Sequence, residues 1–281
     1  MHNSADYAPG WPRRRAGPAT MGRVDTRGLL AGLLDLVLPV LCAGCGIPSG
    51  LVDSGGGPGA LAMAGRDDRP AWCARCAASI GRPRIVRTPR GLPPTVAVGH
   101  YSGALRGALL AYKEHGRREL AVPLSGLLTE ALLAAPVWGQ PAARRWWLVP
   151  APSRRAAARA RGGDHMRSVA VRVAERLAAT GACAGTSAAV GMHRAARDSV
   201  GLDARERAAN LAGRVLVRSA DLPPAGSTVV LLDDVITTGA TVRACVEALA
   251  RAGTPVCGCL VLCDATGSER AADGSGGPRR R

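Results

Sequence analysis

The run Val229–Val230–Leu231–Leu232 leads straight into Asp233–Asp234 and then into Thr237–Thr238–Gly239–Ala240–Thr241. Four consecutive apolar residues predict a strand buried on both faces, as in a parallel sheet covered by helices. The small turn residues then open a helical stretch, Thr241–Ala252. Ligands of such sheets bind beyond the carboxyl ends of the strands. A helix N-terminus there offers unpaired N–H groups and partial positive charge, which suit a phosphate. Threonine hydroxyls add donors, and glycine lets the backbone close on the oxygens. The acids repel phosphate but accept hydrogen bonds from two adjacent ribose hydroxyls. The segment therefore reads as a ribose-phosphate loop.

The surrounding pattern agrees with an α/β chain. Val96–Tyr101, Trp146–Val149, Ser227–Leu232 and Val256–Leu262 are expected strands. Leu105–Glu114, Glu119–Ala135 and His165–Ala179 are expected helices. Their alternation predicts a parallel, doubly wound sheet. The domain so defined runs over 95–264. Aromatics are scarce and Phe is absent, so the core is expected from Ala, Leu and Val. Residues 82–94 hold several Pro and read as a linker.

Before this domain lie two CxxC units, Cys42–Cys45 and Cys73–Cys76, with the Gly-rich insertion SGGGPG (54–59) between them. Four thiolates from two knuckles suit a tetrahedral structural zinc site. A redox pair or an iron–sulfur cluster are the alternatives, but the thioredoxin-like setting of a redox CxxC is missing. An amphipathic helix over 24–38 completes an N-terminal module at 24–81, preceded by a basic tail at 1–23. A second basic tail spans 265–281. Cys183, Cys245, Cys257, Cys259 and Cys263 read as small buried apolar residues. His100, His115, His165 and His193 have no ligand spacing and read as structural or surface.

Net charge is +16, yet all basic residues but Lys113 are Arg. A basic surface can attract nucleic acid, phosphorylated metabolites or anionic membrane, and a coding bias towards Arg is the competing cause of the charge. A lysine kept amid arginines suggests a need for a compact ammonium, such as a point contact to phosphate. A second anion loop is expected after Trp147–Val149. There Pro150–Ala151–Pro152 stiffens the backbone and Arg154, Arg155, Arg159 and Arg161 follow, supplying bidentate donors. The apolar run Gly28–Leu41 is interrupted by Asp35 and is shorter than the ~20 residues a bilayer span needs. No membrane span and a cytoplasmic location are therefore expected.

In order, CAGC and CARC, YSGALR…YKEHG, VPAPS…RGGDHM, RAARDSVGLDARERAAN and LDDVITTGAT resemble the ComF family over roughly residues 28–264. That family joins a zinc ribbon to a type I phosphoribosyltransferase fold. The resemblance implies that Asp233 and Asp234 hold the ribose hydroxyls of phosphoribosyl pyrophosphate (PRPP). Thr237, Thr238, Gly239, Ala240 and Thr241 would hold its 5′-phosphate. Lys113, Pro150, Ala151, Pro152 and Arg161 would face its pyrophosphate, with Mg2+ bridging. It also implies a role in DNA uptake, catalytic or not, with single-stranded DNA or a helicase as partners. Two departures stand out: the family's RGFN is Arg161–Gly162–Gly163–Asp164 here, and the glutamine expected near Ser199 is not evident.

Overall fold

The computed structural model describes residues 41–48, 71–88, 91–135, 138, 145–153, 164–193 and 215–266. All of them belong to the unit Val40–Arg281. The expected helix at 24–38, the Gly-rich insertion, both tails and Arg154–Arg161 lie outside the described residues. Among the described residues, no helix is long and apolar enough to cross a membrane.

The elements in chain order are α1 (Ala74–Ala78), β1 (Arg84–Val86), β2 (Thr95–His100), α2 (Gly103–Glu114), α3 (Ala121–Ala134) and β3 (Arg145–Pro150). After these come α4 (His165–Ala179), β4 (Cys183–Thr186), β5 (Val190–Met192), β6 (Val215–Val217), β7 (Thr228–Ile236), α5 (Ala240–Arg251) and β8 (Val256–Asp264). Six strands form one sheet in the order β1-β2-β8-β7-β3-β4. From β2 to β4 every pairing is parallel, and β1 is an antiparallel edge on β2. Strands β5 and β6 make a separate antiparallel pair.

Side-chain alternation along the central strands builds two cores. Val230, Leu232, Leu260 and Leu262 face one side, with Leu105 and Leu109 of α2, Leu124 and Leu128 of α3, and Val169 and Val173 of α4. Val229, Leu231, Cys259 and Val261 face the other, against Val242, Cys245 and Leu249 of α5 and the β5–β6 pair. A continuous apolar run is what a strand covered on both faces requires. Helix α3 is buried around most of its circumference, because it lies inside the layer. Its Pro123 sits in the first turn, where the missing N–H costs nothing.

Three expectations need correction. The supposed linker contains β1, whose three residues are too few to show a period. The aromatics, though few, are central: Trp72 and Trp146 are fully buried and Trp138 nearly so. Cys183 and Cys257 are exposed, since both fall at strand starts rather than in the interior.

Gly258 of β8 lies under the Trp138 indole, and a Cβ there would run into Nε1, Cε2 and Cδ1 of that ring. Overpacking of this kind costs roughly 1–3 kcal/mol. Gly258→Ala is therefore expected to lower unfolding stability by about that amount, read from the urea midpoint at unchanged slope.

Candidate ribose-phosphate site and cysteine cluster

Strand β7 does not stop at its apolar run. It continues through Asp233 and Asp234 to Ile236, still paired with β8 up to Ile236↔Asp264. The acids therefore sit on rigid backbone at the carboxyl end of a central strand, not in a loose turn. Gly239 follows at φ +74°, as the N-cap of α5. Only glycine adopts that conformation readily, and a Cβ there would also press Leu92 at 3.2 Å. The Thr238 hydroxyl lies 3.4 Å from the Ala240 N–H. The loop 237–241 thus wraps a helix N-terminus that directly follows two carboxylates.

The Pro150–Ala151–Pro152 loop leaves the neighbouring strand at the same end, where the Ala151 N–H donates to the Leu232 carbonyl at 2.7 Å. It is tied to the start of α4 by Ser153, whose hydroxyl reaches Asp164 Oδ1 at 3.4 Å. Asp164 is the N-cap of α4, accepting from the N–H groups of Met166 and Arg167. Asp and Asn cap equally well, so the acid at this position of RGGD keeps the local geometry an asparagine would give. Arg161 lies outside the described residues.

Lys113 ends α2, and its ammonium stands 2.8 Å from Asp234 Oδ2. Among the described residues its ion pair is with Asp234. The same oxygen lies 2.8 Å from His165 Nε2. His165, which its sequence context marks only as structural or surface, is buried and bonded to one of the two acids. No ligand spacing in the sequence marks it. The signal that could have found it is its place beside the Asp164 cap, at the mouth of a helix facing the acids.

The two carboxyls are in opposite states. Burial alone would raise Asp234, but the His165 hydrogen bond and the Lys113 ammonium outweigh it and hold this carboxyl at about 2. Burial, and then the negative charge of Asp234, push Asp233 up to about 8, although it accepts the Asp234 N–H. One acid is thus held as an anion and its neighbour is pushed towards neutrality.

In the cysteine cluster, the Sγ atoms of Cys42, Cys45, Cys73 and Cys76 all lie within 4.8 Å of one another. Cys45 and Cys73 are 3.9 Å apart, close to the ~3.8 Å edge of a tetrahedron with zinc–sulfur bonds of about 2.3 Å. Cys42 Sγ accepts from the N–H groups of Gly44 at 3.4 Å and Cys73 at 3.3 Å. Burial would raise the Cys42 thiol, but the backbone donors from Cys73, Cys45 and Gly44 bring it down to about 7. The four residues fit a zinc ion. The first knuckle lies on α2: a Cβ on Gly107 would meet the Ala43 carbonyl at 2.8 Å, and one on Gly44 would meet Ala104 at 2.9 Å. Arg117 closes the contact by donating to the Leu41 carbonyl at 2.6 Å. Trp72, Cys73 and Cys76 share the core of α2 and α3.

Asp233 sets a pH test. Its folded pKa is raised, so the folded state binds more protons than the unfolded chain between about pH 4 and 8, and this residue's contribution falls as pH rises through that window. Asp233→Asn is expected to melt higher than the wild type at pH 8, with the gap closing towards pH 4 in a thermal-melt series.

Residues 170–275 match the phosphoribosyl transferase domain. The chain is also 30% identical over 234 residues to the DNA utilization protein YhgH of Salmonella typhi, an alignment covering 81% of this chain and 98% of that protein. With the acid pair at the carboxyl end of β7, the glycine-capped loop after it and the four-cysteine cluster ahead of it, this similarity over nearly the whole relative shows that the chain belongs to the ComF family of phosphoribosyltransferase-type proteins.

Proposed function

We propose that the site at the carboxyl end of β7 binds PRPP or a closely related ribose phosphate. The observation that carries this is the junction itself: two carboxylates held on strand backbone, followed within a few residues by a helix N-terminus capped by Gly239 at positive φ. Phosphate and vicinal diol are the two ends of a ribose 5-phosphate, and the junction offers one recognition element to each. The 5′-phosphate takes the N–H groups of the 237–241 loop and its threonine hydroxyls. The ribose 2′- and 3′-hydroxyls donate to Asp233 and Asp234. A hydroxyl donates more strongly to Asp233 when that carboxyl is ionised, so binding of such a donor favours loss of the proton.

The Pro150–Pro152 loop, with Arg161 beyond it, would take the pyrophosphate. Among the described residues, the only cluster of three or more metal-type side chains is the cysteine one. Two carboxylates fit the way Mg2+ is held, by one or two acids together with substrate phosphates and water. The cation would add charge neutralisation at the leaving pyrophosphate. Transfer would then rest on positioning of the ribose and electrostatic support of its developing positive charge. The four cysteines would hold structural zinc, and an apo form of so small a segment lacks a core of its own.

In the cell, this reading places the protein in the handling of incoming DNA, supported by the similarity to a protein named for DNA utilization. That same similarity favours a second reading, in which the fold serves single-stranded DNA or a helicase partner without catalysis. Contacts to the DNA backbone must weaken steeply with salt.

Isothermal titration of the zinc-replete protein with PRPP and magnesium tests the first reading. The wild type is expected to bind, and Asp233→Asn with Asp234→Asn is expected to bind at least about tenfold more weakly, as for loss of charge-assisted hydrogen bonds. Equal affinity in the double variant would overturn it. Absence of PRPP binding, with salt-sensitive retention of single-stranded oligonucleotide, would favour the second. Zinc is expected at about one ion per chain by elemental analysis, and Cys76→Ser is expected to lose it and to melt at a lower temperature than the wild type.

A further inference from the structure

His165 has no role in the reading just given, and its surroundings assign it one. It is the first residue of α4, directly after the Asp164 cap. Its side chain is 7% exposed. Nε2 lies 2.8 Å from Asp234 Oδ2, the oxygen that Lys113 also reaches at 2.8 Å. A carboxylate only accepts, so the imidazole hydrogen must be on Nε2. The other ring nitrogen, Nδ1, is buried and has no hydrogen-bond partner among the described residues. Leaving a buried polar atom unpaired is unfavourable. Here Nδ1 is left unpaired while Nε2 meets Asp234.

The ring is held where it is. Tyr112 meets it edge-on, with centroids 5.9 Å apart and an interplanar angle of 76°. The Tyr112 hydroxyl donates to the His165 carbonyl at 2.8 Å. Consecutive residues of α2 therefore perform linked tasks: Tyr112 fixes His165, and Lys113 meets it on the same carboxylate oxygen. With Oδ2 committed to two donors, the carboxylate plane is set, and among the described residues no donor is seen on Oδ1, the oxygen offered to a ligand.

We propose that His165 is a positioning residue for ribose recognition: together with Lys113 it locks Asp234 through Oδ2 so that Oδ1 is presented to a sugar hydroxyl. The role rests on the ribose-phosphate reading of the site. It makes a specific demand, that His165 governs recognition of the sugar hydroxyls and not of the phosphate.

The test compares ribose 5-phosphate with 2,3-dideoxyribose 5-phosphate, which keeps the phosphate and lacks both hydroxyls. Affinities are read by isothermal titration for the wild type, His165→Leu and His165→Gln. Leucine fills the space without a donor; glutamine returns an N–H at similar reach. The wild type is expected to prefer the ribose compound. In His165→Leu that preference is expected to shrink about fivefold to tenfold, as for loss of one well-placed hydrogen bond, with dideoxyribose 5-phosphate affinity unchanged. His165→Gln is expected to restore most of it. Should the leucine variant not melt cooperatively, His165→Asn, whose amide stops short of Asp234, serves the same comparison. An unchanged preference in the donor-less variant overturns the positioning role and leaves the ribose-phosphate reading standing. A parallel loss for both ligands also overturns it, since that would mark a structural residue. A wild type that binds neither compound overturns the reading of the site and this role with it.

Discussion

A single carboxylate oxygen, Asp234 Oδ2, joins three parts of the molecule. It belongs to the central strand, and it receives Lys113 from the end of α2 and His165 from the start of α4. Removing an ionised carboxylate from water is costly unless partners replace the solvent. Here the partners come from elements far apart in sequence, so the anion is supported only when the sheet and both helices are assembled. The consequence for the other acid is immediate. Burial, and then the Asp234 anion beside it, push Asp233 towards neutrality.

The sheet and the strand–turn–helix that follows Val229 are largely legible in the sequence because both are local. A buried parallel strand announces itself as an apolar run, and Val229–Leu232 and Val256–Leu262 need no distant information. The His165–Ala179 helix was bounded correctly because its cap, Asp164, stands directly before its first apolar contacts. Short edge elements were not legible: β1, β4, β5 and β6 have three or four residues each, too few for a period to emerge. The strand carrying the acids is longer than its apolar part, since backbone pairing with β8 continues where hydropathy ends.

The part of the site that sequence reading did not assemble is the long-range part. Lys113 stood out by composition, but composition gave no partner, and its partner lies on a strand more than a hundred residues later. His165 was invisible to ligand spacing because its bond is to a carboxylate on another element. The cysteines were the opposite case. Their spacing named all four, and the structure brings them within 4.8 Å of one another. Spacing could not show that the knuckle would rest on α2 through Gly44 and Gly107, because a missing side chain leaves no hydropathy signal.

That contact gives α2 a fixed rotational phase. Ala104 and Gly107 face the cysteine knuckle, while Leu105, Ala108, Leu109 and Tyr112 are buried on the sheet side. Lys113 then falls where it can reach Asp234. Each residue of an α-helix turns the chain by about 100°. Insertion or deletion of one residue between Ala104 and Lys113 would therefore swing the ammonium away from the acids or lift the smooth face from the knuckle. The helix behaves as a keyed shaft between two sites, free to vary in its exposed residues but not in its length.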